Sequence, residues 1–160
     1  KIIDVLYKAL GKDALDIQHV GSTSISGIVA KPIVDIAVGM RNLKDTRRHD
    51  ATLAEQDILF RKEEYGEQLL YIIGDEASRT HYIHVVIHNG AAWRNYIAFR
   101  DYLNASPEAA RKYDALKREL AEKHPEDREA YLAGKRELIS KLLVEAREWE
   151  SNNSPDTVKK

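Results

Sequence analysis

HVGSTSISGIVAKPIVDIAVGM, His19 to Met40, is the stretch whose reading decides the fold of this chain. Its first residues close a short apolar strand expected over Leu15–Val20, which runs into Gly21-Ser22-Thr23. Glycine tolerates φ/ψ values that other residues avoid and adds no side chain, so a Gly-Ser turn can offer bare backbone N–H groups to phosphate oxygens. The hydroxyls of Ser22, Thr23, Ser24 and Ser26 suit the same oxygens as donors. Twelve residues separate Ser22 from Asp35, which opens or lies within a second strand, Ile33–Val38. That strand is apolar apart from its one carboxylate, as a buried strand is. A buried carboxylate is costly without a partner. Asp35 therefore has two readings: a structural salt bridge, with Lys31 as the nearest candidate, or a position facing a metal or substrate. Lys31 precedes Pro32, which keeps its backbone extended; it can reach a phosphate or pair with Asp35.

Two other glycine motifs do not fit. Five residues separate Gly21 from Gly27 and no Lys-Ser/Thr follows, so this is not a P-loop. Nor is it a Gly-x-Ser-x-Gly nucleophile elbow, because Ile25 stands where the serine is needed. The order hydrophobic-Gly-Ser, a spacer, then Asp on an apolar strand resembles a nucleotidyltransferase-type site. There a second acid stands two residues after the first, on the same strand face. Here that position is Ala37. Losing one carboxylate weakens any Mg2+ site, since that ion binds mainly through carboxylates and phosphate oxygens.

Three blocks in order resemble the GrpB family, a group of small proteins with a nucleotidyltransferase-like fold. The first runs from His19-Val-Gly-Ser-Thr-Ser through Ala30-Lys31-Pro32-Ile33-Val34-Asp35-Ile36. The second is Arg79-Thr-His81-Tyr-Ile-His84-Val85, and the third Phe99-Arg100-Asp101-Tyr102-Leu103 with Pro107-Glu108, Tyr113, Leu116-Lys117 and Tyr131…Lys135. The resemblance spans residues 1–146 and implies an α+β fold: a nucleotidyltransferase-like mixed sheet backed by helices, with a C-terminal helical layer. It also implies that GrpB-like chains carry a short segment before the first helix seen here. The expected site follows from it. Gly21, Ser22, Thr23 and Ser24 cradle phosphate, Asp35 and Lys31 serve catalysis, and Asp35 holds a weak, ligand-dependent Mg2+ or Mn2+. His84 is the best replacement for the missing acid, because Tyr82, His84, Val86 and His88 share one face of their strand while Ile83, Val85 and Ile87 share the apolar one. Arg79 and His81, just before that strand, are candidates for a phosphate tail. Arg100 and Asp101 are either a solvated pair or a helix-to-helix brace, or else Arg100 is a guanidinium fork for an anion. The activity implied is metal-dependent transfer of a nucleotidyl group, the substrate being a nucleotide or other phosphorylated small molecule. The alternative, favoured by Ala37, is a non-catalytic ligand-binding or partner-docking module that keeps the anion pocket.

The rest of the chain sets the frame. At 160 residues it is sized for one domain, expected over residues 1–149, with a polar tail from 150 expected to fray. A net charge of −1 supplies no global drive toward nucleic acid or anionic lipid. The absence of cysteine excludes disulfides and thiolate metal sites. With no apolar run of membrane-spanning length and no visible signal peptide, a cytoplasmic protein is the default expectation. Ile2–Leu10 has a helical stripe ended by Gly11. A polar helix is expected from Asn42 to near Gln56. Strands are expected over Ile58–Glu64 and Gln68–Ile73 around a Tyr65-Gly66-Glu67 turn, and over Tyr82–His88. Helices follow over Ala91–Asn104, from a Ser106 cap to Lys123, and from Pro125 to Trp149.

Overall fold

A computed structural model describes residues 1–28, 33–64 and 66–153. The order is α1 (Ile2–Leu10), β1 (Ala14–Val20), β2 (Val34–Met40), α2 (Lys44–Arg47), α3 (Asp50–Glu55), β3 (Leu59–Glu64), β4 (Gln68–Ile73), β5 (His81–Ile87), α4 (Ala91–Ala105), α5 (Pro107–Lys123) and α6 (Arg128–Asn153). The class is α+β. Five strands form one mixed sheet in the order β1-β2-β5-β4-β3. Only β2 and β5 run parallel; the other neighbours are antiparallel.

The strands alternate cleanly between two faces. Ile36, Val38, Ile83, Val85, Leu69, Tyr71 and Ile17 point one way and bury against Leu6 and Leu10 of α1 and Leu53 of α3. Burying side chains of this size contributes roughly 1.5–3 kcal/mol each, which fixes the register of the sheet. The opposite face carries Asp35, Ala37 and Gly39 of β2 and Tyr82, His84 and Val86 of β5. The polar residues therefore gather on one side because the apolar ones are required on the other.

The chain divides into two compact units. One holds Lys1–Ser24 and the chain from β2 through Tyr96; the other holds Ile25 and its neighbours with the chain from Ile97 onward. The second unit has its own core of Ile25, Leu103, Ala109, Ala110, Tyr113 and Leu142. Its helices start as the sequence dictates. Ser106 caps α5 by accepting from the Ala109 N–H at 3.2 Å, with Pro107 at the first helical position. Asp127 accepts from the Ala130 N–H at 3.0 Å before α6.

Three expectations shift. The single helix expected from Asn42 to Gln56 is two short ones, α2 and α3. His49 sits between them with its ring 2.7 Å from the Asp13 carboxylate, and Arg48 pairs with Asp45 at 3.0 Å. α6 begins at Arg128 rather than Pro125 and ends at Asn153 rather than Trp149. Tyr65, Lys31 and residues 154–160 lie outside the described residues. Among the described residues no helix is long and apolar enough to cross a membrane.

Candidate phosphate-ligand site on the open face of the sheet

The antiparallel register pairs Val20, the last residue of β1, with Asp35 near the start of β2. The turn after Val20 is thereby carried to the Asp35 side chain. Gly21 has φ +76°, and a Cβ there would lie 2.6 Å from Asp35 Oδ2 and 2.9 Å from Asp35 Cβ. Glycine is required twice, for the left-handed backbone and for the approach of the carboxylate. The next residues, Ser22–Ser24, form a 3-10 turn. Two of the expected phosphate donors are engaged in shaping it. The Ser24 hydroxyl donates to the Gly21 carbonyl at 2.5 Å, and Thr23 Oγ1 lies 2.8 Å from His19 Nε2.

Across the parallel pair, Asp35 faces Tyr82 and Ala37 faces His84. The His84 ring stands opposite the position of the missing acid. Its Nε2 lies 2.9 Å from Asp35 Oδ1, with the two side chains 15% and 28% exposed. His84 thus binds the carboxylate itself. Ala37 is fully buried between these neighbours. Tyr96, in the first turns of α4, lies over this face. Its ring centroid is 5.1 Å from that of His84, and its hydroxyl donates to Gln68 Oε1 at 3.0 Å. Burial raises the Tyr96 hydroxyl well above its ordinary value, and the carboxylates of Asp35 and Glu64 add to this. Gln68 in turn donates to Glu64 at 2.7 Å.

Arg79 reaches the site from the turn before β5. Its guanidinium carbon is 5.5 Å from the centroid of the Tyr82 ring. Four buried side-chain polar atoms among the described residues have no hydrogen-bond partner: Thr46 Oγ1, Arg79 Nε, His84 Nδ1 and Asp114 Oδ1. Two of the four, Arg79 Nε and His84 Nδ1, flank Tyr82 on the Asp35 face.

The structure therefore brings Gly21, Asp35 and His84 together, and sets Arg79 over the ring of Tyr82, the strand partner of Asp35. It places His81 elsewhere. His81 pairs with Val34 at the start of β5, so its side chain leaves the sheet on the face of Ile83 and Val85. Its ring contacts Thr80 Oγ1 at 2.8 Å, and burial lowers its pKa. Arg100 belongs to the second unit, where its Nε donates to Asp101 at 2.9 Å. Tyr96 and Gln68 were not apparent as site residues. They stand 61 and 33 residues after Asp35 in sequence and carry no motif; the one usable signal is that Gln68 opens β4 with a polar side chain on the even face.

Mg2+ prefers a near-octahedral shell of oxygens. Among the described residues no group of three or more His, Asp or Glu side chains gathers for a metal. Asp35 and His84 are bonded to each other, and Ala37 supplies nothing. These side chains do not fit a divalent ion held by the protein.

Residues 1–145 match the family model described as GrpB protein. The chain is 39% identical over 146 residues to the glutamate-rich protein GrpB of Alkalihalophilus pseudofirmus, covering 88% of this chain and 84% of that protein. It is 31% identical to the UPF0157 protein YqkA of Bacillus subtilis over 93% of its own length and 43% of that protein's. The crystal structure of the conserved protein GrpB from Enterococcus faecalis superposes with a TM-score of 0.81 at 28% identity, covering 92% of this chain and 90% of that one.

Proposed function

The chain belongs to the GrpB family, and from that premise we propose that it binds a phosphorylated small molecule of the nucleotide class on the Asp35 face of its sheet. The observation that carries this reading is Arg79: a guanidinium stacked on Tyr82 with a buried Nε–H that nothing among the described residues accepts. An unmet buried donor on a cation calls for an anionic acceptor, and the planar guanidinium fork matches phosphate oxygens. Gly21 supports it, because its bare backbone brings the Ser22–Ser24 turn against the same carboxylate face. Asp35 alone would repel a phosphate, and the Arg79 cation over Tyr82, the strand partner of Asp35, is the attraction set against that charge. Lys31 is expected to add a second cation, and Tyr82 offers an aromatic face to a planar base.

A second reading is nucleotidyl transfer, favoured by Gly21 abutting Asp35 as in a nucleotidyltransferase-type site. It needs Mg2+ or Mn2+ brought in mostly by the ligand's own phosphates. Thermal melts with ATP, AMP and inorganic phosphate, each with and without Mg2+ or Mn2+, decide between them. At a ligand concentration 100 times Kd, binding adds about 2.7 kcal/mol, a rise in Tm of roughly 5–10 °C for a chain of this size. The binding reading expects that rise without added metal and expects Arg79→Ala to weaken the affinity at least about tenfold. Stabilisation only with metal and a triphosphate, together with turnover, favours transfer. An Arg79→Ala variant that responds like wild type contradicts both.

A further inference from the structure

A second buried nitrogen beside Tyr82, His84 Nδ1, also has no hydrogen-bond partner among the described residues. Asp35 is an acceptor only, and His84 Nε2 lies 2.9 Å from its Oδ1, so Nε2 carries the hydrogen of that bond. In the neutral imidazole the remaining nitrogen, Nδ1, is then a lone-pair acceptor. It is buried and nothing among the described residues donates to it. Its surroundings explain why. The residues that pair with His84 across the sheet are Ala37 and Leu70, both without donors. The rings of Tyr82 and Tyr96 lie 6.3 and 5.1 Å away, and the Tyr96 hydroxyl is given to Gln68. His84 Nδ1, oriented by Asp35, is thus an acceptor that no donor among the described residues meets.

We infer that His84 Nδ1 accepts a hydrogen bond from a hydroxyl of the bound phosphate ester, so that the site selects ligands carrying both a phosphate and a free hydroxyl, as a ribonucleotide or a sugar phosphate does. The inference rests on the phosphate-ligand reading above and specifies its ligand. Arg79 takes the anionic end, His84 takes the hydroxyl, and Tyr82 lies between them. Asp35 is a positioning residue. It holds the ring in the tautomer whose Nδ1 accepts, and it touches the hydroxyl only through His84. A ligand without the hydroxyl leaves the buried acceptor unpaired, which is how polar sites reject analogues lacking a hydroxyl.

Calorimetric titration at pH 8 tests this with two matched pairs. One is AMP against 2′,3′-dideoxy-AMP; the other is glycerol 3-phosphate against n-propyl phosphate. Wild type is expected to bind the hydroxylated member at least about tenfold more tightly in the pair that fits the site. His84→Ala should bring that ratio close to one, whatever it does to the affinity for both members. Asp35→Asn should also lower the ratio, because an amide can donate to Nε2 and turn the ring to the tautomer with a hydrogen on Nδ1. The wild-type ratio stands as a test even if either variant fails to fold. Equal affinity for the members of each pair in wild type overturns this inference and leaves the phosphate-ligand reading intact. No binding of any of the four overturns both.

Discussion

Gly21→Ala is expected to destabilise the protein by on the order of 3 kcal/mol and to abolish binding of phosphate esters. Two costs combine. At φ +76° an alanine is forced into left-handed backbone, which costs roughly 1–2 kcal/mol. Its methyl would then stand 2.6 Å from Asp35 Oδ2 and 3.0 Å from Asp35 Cγ, so the carboxylate has to move. Moving it breaks the 2.9 Å bond to His84 and leaves a half-buried charge without its partner, a loss of about 1–3 kcal/mol. For a chain of this length the drop in Tm is roughly 6–12 °C. Gly27→Ala is the control. Gly27 has φ +81°, close to that of Gly21, but nothing within 4 Å of its would-be Cβ, so it should show the backbone cost alone. Differential scanning calorimetry on the two variants checks the difference. Equal losses would mean that the Gly21–Asp35 contact contributes nothing.

Gly74→Ala carries the other large effect. Gly74 has φ +94°, and a Cβ there would collide with the Ser78 carbonyl oxygen and come within 2.9 Å of Arg79 Cα. Both neighbours are backbone and cannot swing away. The turn they belong to is tightly made. Asp75 Oδ1 accepts from the Ala77 N–H at 2.9 Å, the Ser78 N–H at 2.8 Å and the Ser78 hydroxyl at 2.9 Å, and these bonds lower the Asp75 pKa. The Thr80 N–H closes the turn on the Ile73 carbonyl at 2.9 Å. This turn delivers Arg79 to Tyr82. Gly74→Ala is therefore expected to cost about 3 kcal/mol or more and to weaken AMP binding in the same manner as Arg79→Ala. Calorimetric melts and titrations read both quantities. A variant that loses stability but binds AMP like wild type would show that the turn does not position Arg79 for a ligand.

The part of the site closest to the motif was legible in the sequence, and physics says why. Gly21 and Asp35 belong to consecutive strands that pair directly, so a fixed spacing along the chain becomes a fixed contact in space. His84 was legible because alternation along Tyr82–His88 separates polar even positions from apolar odd ones. The same alternation puts His81 with Ile83 and Val85, away from Asp35; its place in an Arg-x-His-x-x-His string suggested otherwise, and register decides. Tyr96 and Gln68 were not legible, because they reach His84 through the order of strands and the path of α4, which no local spacing encodes. The break between α2 and α3 was hidden for a similar reason. His49 is drawn to Asp13, 36 residues earlier, and a long-range bond of that kind leaves no periodic mark.

The most direct test of the central claim, that a phosphate ester is bound on the Asp35 face between Gly21 and Arg79, is a titration of isotope-labelled protein with AMP followed by nitrogen–hydrogen correlation spectra. The Arg79 Nε–H signal, the backbone amides of Gly21 to Ser24 and those of Tyr82 to His84 are expected to move together along one saturating curve. Saturable shifts confined to residues 97–153, with Arg79 and Gly21 unmoved, would contradict it.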